Sequence, residues 1–272
     1  MFVRRDDGSA MRLTDFHPGI ACYQHCIAQQ KRSMDHPTNW TCLTGALVRE
    51  ISRSESREII LEYEWLRTMG RAIACYGLFL NDQLIGVANF GWPAGAASRD
   101  ICGSEHRKLA VCLERGACVH WAPKNSASFL ISRATKAASQ RFGWKIFYAY
   151  ADEDAGEIGV VYQACNWFYI GRGCGREPGR LREDFITPFG QRVSGRSLRR
   201  RKLKKLQVLQ QGWQVIYSSP KHKYIWFEGT KRERAALRGL CRYPFQPYPR
   251  RVQQVQAVVS QRLSLSMPGV SL

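Results

Sequence analysis

Negative charge is scarce in this sequence. Against 41 Lys and Arg, the 272 residues include only 22 Asp and Glu, giving a formal net charge of +19 and a pI of about 9.8. Ordinary soluble enzymes sit closer to neutrality. A field of this size attracts polyanions, of which DNA and RNA are the commonest; a surface made basic only for solubility is the plain alternative. No basic amphipathic helix gathers Trp, Phe and Leu on one face, which ranks an anionic membrane surface lower as a partner. No run of about 18 apolar residues occurs, so no membrane span is expected. The opening MFVRRDDGSAMRL has no apolar stretch of the secretory type. The ten cysteines contain no CxxC pair, and without a secretory signal free thiols in a reduced, cytoplasmic setting are expected. Cys22-Tyr-Gln-His25-Cys26 comes nearest to a metal cluster, but its spacing is not a standard zinc pattern. Neither GxxxxGK with Ser or Thr nor GxGxxG is present, which removes Walker-type and dinucleotide-binding loops.

What is there suits one sizeable core, with 44% hydrophobic residues. Residues 1–45 read as an irregular extension wrapping that core. Ile59, Ile60, Tyr63 and Leu66 fall at helical spacing within Arg57–Arg67. Ile73–Leu80 and Leu84–Phe90 read as a hairpin turning at Asn81-Asp82-Gln83. Leu113–Trp121 reads as a strand broken by Ala122-Pro123-Lys124-Asn125. From Ser126 to Arg141, apolar residues recur at Ala127, Leu130, Ile131, Ala134, Ala137 and Ala138; Asn125 or Ser126 caps the start and Gly143 ends the helix. Then follow a strand at Lys145–Tyr150, a short helix at Ile158–Cys165 and a strand at Trp167–Gly171. Trp213–Tyr217 and Lys223–Phe227 read as one more strand pair. The order predicts an α/β or α+β domain built on one mixed sheet. The boundaries expected are an extension at 1–50, a single domain at 51–250 with a basic insertion at about 176–210, and a flexible tail at 251–272.

That insertion carries Arg196, Arg199, Arg200, Arg201, Lys202, Lys204 and Lys205, seven cations in ten residues with no acidic residue among them. A solvated helix face normally interleaves Glu or Asp, so the run reads as a segment contacting nucleic-acid phosphates. Leu198, Leu203 and Leu206 suggest that one edge docks on the core.

A strand, a tight break and a helix opening on small polar residues form an anion site, because the helix start offers unpaired N–H groups and a partial positive charge. Here Lys124 adds a full charge and Ser126 and Ser128 add hydroxyls, a set suited to a pyrophosphate; Asn and Ser are also ordinary helix caps. Asp152 ends an apolar strand, where a carboxylate can accept a proton or orient an amine, or simply cap the next turn. Tyr162, on the helix that follows, can be a proton donor or a core tyrosine.

Leu113–Gly173 carries APKNSxS before an amphipathic helix and then YADxxxGxxGxVYxAxxWxYxG. In these motifs the chain resembles the Mom family of phage proteins. EYEWLRTMG through QLIGVANFGWP resembles that family more loosely, and Lys223–Arg251 resembles the C-terminal parts of phage homologues. The resemblance implies a GNAT-like fold, a mixed central sheet flanked by helices, with the strand–helix junction in place of an acyl-CoA pyrophosphate loop. It implies transfer from acetyl-CoA or a related acyl-CoA to the exocyclic amine of adenine in double-stranded DNA, giving a methylcarbamoyl-type adduct that blocks restriction. Lys124, Asn125, Ser126 and Ser128 would then hold the cofactor phosphates, and Asp152, Ser128, Tyr162 and Glu64 would form the catalytic set. The sequence departs from the family where Glu64 and Trp65 stand in place of a His-Tyr pair. Iron has been considered for the family, with His106, His120 and Cys118 as available donors. Trp65, Trp92 and Trp121 would offer stacking platforms for an extruded base. The other readings are a GNAT N-acetyltransferase of a protein or small amine, and a non-catalytic nucleic-acid-binding protein.

Overall fold

The computed structural model describes residues 2–4, 10–12, 40–66, 68–93, 95–173, 182–189, 192–218 and 220–250. Cys22, His25, Cys26 and the tail from 251 lie outside them, as does most of the N-terminal extension. Within that extension β1 (Phe2–Arg4) pairs antiparallel with β2 (Ala10–Arg12).

The mixed central sheet flanked by helices is present. After β3 (Leu47–Ile51), helix α1 spans Arg53–Tyr63 rather than 57–67. Its start is set by a capping box: Ser52 Oγ accepts from Glu55 N at 3.1 Å, and Ser52 N donates to Glu55 Oε2 at 2.6 Å. Its end is set at Glu64, whose backbone is extended (φ −84°, ψ 134°). Glu64 and Trp65 therefore lie in the turn after the helix, not on it. Strands β4 (Ala72–Leu80) and β5 (Gln83–Gly91) form the expected hairpin. Its two-residue turn has positive φ at both Asn81 (48°) and Asp82 (62°), the geometry that matches strand twist. A short helix α2 (Ala96–Arg99) and a 3-10 turn (Ser104–Leu109) lead into β6 (Ala110–Cys118).

Helix α3 (Ser126–Phe142), strand β7 (Ile146–Ala151), helix α4 (Val160–Ala164) and strand β8 (Phe168–Arg172) follow nearly where the periodicity predicts. Gly143 closes α3 in the left-handed conformation (φ 72°). Gly159 opens α4 with φ 80°, and an added Cβ there would overlap the Tyr224 ring, so the motif glycine has a steric cause.

The C-terminal part departs from expectation. Strand β9 (Arg182–Ile186) pairs with β10 (Arg192–Ser194) and with β11 (Gln214–Ser218) in a separate three-stranded sheet. Between β10 and β11 lie α5 (Gly195–Arg200) and α6 (Lys205–Gln210). Strand β12 (His222–Phe227) does not pair with β11. It is inserted in the main sheet between β7 and β8, antiparallel to both, and α7 (Lys231–Gly239) follows it. The seven-stranded order is β3-β4-β5-β6-β7-β12-β8, with β6 and β7 the parallel pair.

Alternation along the strands assigns the faces. Tyr76, Phe90, Phe147 and Ala149 meet Leu130, Ile131, Ala134 and Ala138 of α3 on one face. On the other, Cys75 and Val87 meet Ile59 and Ile60 of α1, and Ile146, Tyr148 and Ile225 meet Leu237 of α7. With both faces covered, β7 is buried at every position except Tyr150, which explains its unbroken apolar sequence. The basic insertion has a small core of its own. Leu198, Phe185 and Val208 are buried together with Leu203 packed against them, while Leu206 is 68% exposed. The leucines thus serve that core rather than the edge of the main one, and Leu206 serves neither.

Candidate active site at the splayed strand edge

β6 and β7 are paired only from Ala110↔Ile146 to Leu113↔Ala149. Beyond Leu113, β6 continues to Cys118 alongside β5, and β7 ends at Ala151 alongside β12. The parallel pair therefore splays at its carboxyl end. Both α3, following β6, and Asp152, following β7, leave the sheet from this edge.

The start of α3 carries no side-chain cap. Asn125 occupies the cap position in the left-handed conformation (φ 69°) and its side chain makes no capping bond. The Ser126 hydroxyl is buried and donates to Pro123 O at 2.7 Å, and Ser128 Oγ donates to Asn125 O at 3.0 Å. The expected cap by the Asn125 or Ser126 side chain is thus absent, and Ser126 N donates instead to Pro123 O at 3.2 Å. Lys124 and Asn125 are exposed beside them.

Asp152 is 2% exposed and ion-paired to Lys221, Nζ to Oδ2 2.6 Å. Lys221 immediately precedes β12, and its Nζ also stands 5.6 Å from the centre of the Trp65 ring. Glu64 is 6% exposed; its Oε2 accepts from Leu66 N at 2.8 Å and lies 3.8 Å from Arg115 Nε of β6. Arg115 also donates to Thr68 O at 2.8 Å and Thr68 Oγ1 at 3.0 Å, tying the turn after α1 to β6. Glu157 N donates to Asp152 O at 3.1 Å. Burial, reinforced by the negative Glu64 and Asp152, pushes the Glu157 carboxyl up to about 8, against an opposing pull from Lys221. Three carboxyls and one ammonium therefore share the site, and the raised affinity of Glu157 for its proton relieves the crowding.

Tyr162 sits between the two parts of the site. Its ring packs 5.3 Å from those of Trp167 and Tyr224. Burial first, then the charge of Glu157, with Cys112, Cys165 and Glu64, raises its phenol well above the usual range, so it is neutral and holds its proton. Its neighbour Cys165 donates to Ser128 O at 3.4 Å, joining α4 to the first turn of α3. At the end of β6, Tyr63 OH and His120 Nδ1 are 2.8 Å apart.

Of the tryptophans, Trp65 and Trp121 lie at this edge, Trp121 edge-on to Trp40 at 5.5 Å. Trp92 does not. It follows the end of β5 and packs at 5.9 Å on Trp144, which precedes β7, at the opposite end of the sheet. Among the described residues no three His, Cys, Asp or Glu side chains gather as a metal set, so the residues do not fit iron. His106 pairs with Glu105 at 3.3 Å, His120 with Tyr63, and burial pushes the Cys118 thiol up to about 12. Lys221 and Glu157 were not legible as site residues in the sequence.

The cations of the insertion are spread over α5, the turn after it and α6. Arg199, Arg200, Arg201, Lys202, Lys204 and Lys205 are exposed; the Arg196 side chain lies outside the described residues. Lys205 has an acidic partner after all, Glu183 of β9 at 2.9 Å. The insertion is rooted at the candidate site. It leaves after Arg172 and returns at Lys221, where Gly173 N donates to Lys221 O at 3.1 Å and Arg172 registers with His222.

The Mom protein family model matches residues 46–250, and the chain belongs to that family. No curated protein matches. Among solved structures the chain is similar to an IAA acetyltransferase from Bacillus cereus ATCC 14579, at 11% identity and a TM-score of 0.39 over 67% of this chain and 99% of that one. It is similar to a spermidine N-acetyltransferase from Vibrio cholerae, at 10% identity and a TM-score of 0.38 over 68% and 94%. It is also similar to a Bacillus subtilis acetyltransferase in complex with CoA, at 12% identity and a TM-score of 0.35 over 68% and 98%. Among the described residues no helix is long and apolar enough to cross a membrane.

Proposed function

We propose that this protein is a DNA-modifying transferase that acylates the exocyclic amine of adenine with an acyl-CoA-type donor, and that it protects phage DNA from restriction in the host cytoplasm. One observation carries the reading: an uncapped helix start and a buried, ion-paired carboxylate leave the sheet from the same edge of a splayed parallel strand pair. Membership of the Mom family supports it.

The amides of the first α3 turn and Lys124 suit the phosphates of such a donor, which when bound supplies an activated acyl carbonyl. The buried Asp152 carboxylate accepts a hydrogen bond from the attacking amine and takes its proton as the C–N bond forms and the C–S bond breaks. Tyr162, which keeps its proton and packs against Trp167 and Tyr224, donates a hydrogen bond to the departing sulfur, which leaves as the thiolate. Ser128 positions the first turn through its bond to Asn125 O, and Glu64 keeps the turn bearing Trp65 against β6 through Leu66 N and Arg115. Trp65 is 8% exposed and packed with Ile59 and Ile60, so the partly exposed Trp121 at this edge is the stacking face for an extruded base. The cations at 199–205 contact the phosphate backbone, and the root of the insertion beside Lys221 supports their service to this site.

The test is mass spectrometry of nucleosides from DNA of cells expressing the chain. A mass-shifted deoxyadenosine is expected, and Asp152→Asn is expected to abolish it with DNA affinity nearly unchanged. Unmodified DNA alongside acetylated protein or small amine would favour an N-acetyltransferase instead, although the basic excess suits a cationic amine poorly. Tight DNA binding with no product of either kind would leave a binding protein.

A further inference from the structure

We propose that Lys221 is the positioning residue of the reaction: it fixes the Asp152 carboxylate in one orientation as the acceptor for the attacking amine. The inference rests on the functional reading above and extends it to a residue outside the resemblance motifs.

Two observations of geometry carry it. The Lys221 ammonium meets Asp152 Oδ2 at 2.6 Å while Asp152 is 2% exposed, so solvent supplies little of the carboxylate's stabilisation. The same ammonium stands 5.6 Å from the centre of the ring of Trp65, itself 8% exposed, so the cation is held between the proposed proton acceptor and a buried aromatic wall. A carboxylate buried to this degree without a cation would take up a proton and lose its use as an acceptor.

The charges around the pair come from every element packed on it. Glu64 and Arg115 approach from the α1 turn and β6. Glu157 follows β7, and its proton affinity records Glu64, Asp152 and Lys221 together. Glu153 is ion-paired with Arg172 of β8. His222, next to Lys221, is 1% exposed and held below its ordinary range by burial and then by Arg172. Glu64 is offset by Arg115 and Glu153 by Arg172, while Lys221 is ion-paired with Asp152 itself. The backbone of Lys221 is held independently by the bond from Gly173 N to its carbonyl, so removing the ammonium need not move β12.

The test compares Lys221→Met and Lys221→Arg with the wild type, using the full chain and duplex DNA. In Lys221→Met, kcat is expected to fall on the order of 10²-fold. The acid-side midpoint of its pH profile is expected to rise by roughly one to three pH. KM for DNA and the salt dependence of binding should stay as they are. Lys221→Arg should bring the midpoint back. A Lys221→Met protein with the wild-type pH profile, or one whose loss is confined to KM and the salt slope, overturns the proposal and makes Lys221 a phosphate contact. A readout independent of activity is the ¹³C titration of the Asp152 side-chain carbonyl, expected to move to higher pH in Lys221→Met; an unmoved titration also overturns it. If the wild type leaves DNA unmodified, the functional reading fails, while the titration still decides whether Lys221 controls Asp152. If Lys221→Met does not fold, the Asp152→Asn/Lys221→Met pair decides: the double variant should regain stability relative to Lys221→Met, and no recovery would count against the pair.

Discussion

Replacing Glu157 by Gln isolates the charge crowding at the candidate site without requiring an assay of activity. In the native protein the Glu157 carboxyl is carried from 4.5 to about 8, chiefly by burial and then by the negative Glu64 and Asp152. Between those two pH values the native state holds a proton that the unfolded chain has released. Native protein therefore binds more protons than unfolded protein, and stability falls as pH rises through the window. A tenfold change in proton affinity corresponds to about 1.4 kcal/mol, so the upper bound is about 5 kcal/mol. Glu157 is only part-buried at its surface, and the water that reaches it reduces the expected loss to about 2–3 kcal/mol. Glutamine keeps the shape of the protonated acid and does not titrate. Urea unfolding followed by tryptophan fluorescence at pH 5, 6.5 and 8 should give a wild type that loses about 2–3 kcal/mol more than Glu157→Gln across the window. Parallel pH dependence of the two proteins, or a wild type that gains stability relative to the variant as pH rises, would refute the crowded-carboxyl reasoning.

Burial lowers His222 from 6.5 to about 4, so the unfolded chain binds the extra proton in that window and stability falls as pH drops through it; the size is up to about 3 kcal/mol. His222→Gln should flatten this acid limb, as thermal melts at pH 7 and pH 5 would show, and an equally steep limb in the variant would mean another group causes it. Neutralising Arg199, Arg200, Arg201 and Lys202 to Gln should lower the slope of log affinity against log salt by about 3–4, since each phosphate contact contributes about 0.9. An unchanged slope would show that these exposed cations do not touch DNA.

Legibility in the sequence followed the range of the interactions. Helix α3 was readable end to end because Leu130, Ile131, Ala134 and Ala138 repeat on one face and Gly143 stops it locally. The β4–β5 hairpin was readable because Asn81-Asp82 specifies its own turn. The start of α1 was missed because Ser52 and Glu55, which fix it, precede the apolar repeat. The placement of β12 was illegible for a different reason. Its neighbour in sequence is β11, and nothing local tells Tyr224 and Ile225 to pair with Ala149 and Tyr148 instead. Of the candidate site, the pieces within Lys124–Tyr162 were visible as a motif. Lys221 was not, because its partner Asp152 is reached only through that long-range pairing.

The placement of β12 also explains how one chain can join a basic surface to a buried acid. Had β12 paired with β11, Lys221 would have ended a hairpin loop of the small sheet, and Asp152 would lie buried without the ammonium that now meets it. Insertion between β7 and β8 instead sets His222 opposite Ala151 on one side and Arg172 on the other. Both roots of the insertion then emerge within one residue of those positions, at the edge where α3 begins. The same strand that completes the sheet therefore delivers the cation to Asp152 and fixes where the exposed Arg199–Lys205 segment is attached. Pairing energy along β12, rather than any local motif, is what brings the two together.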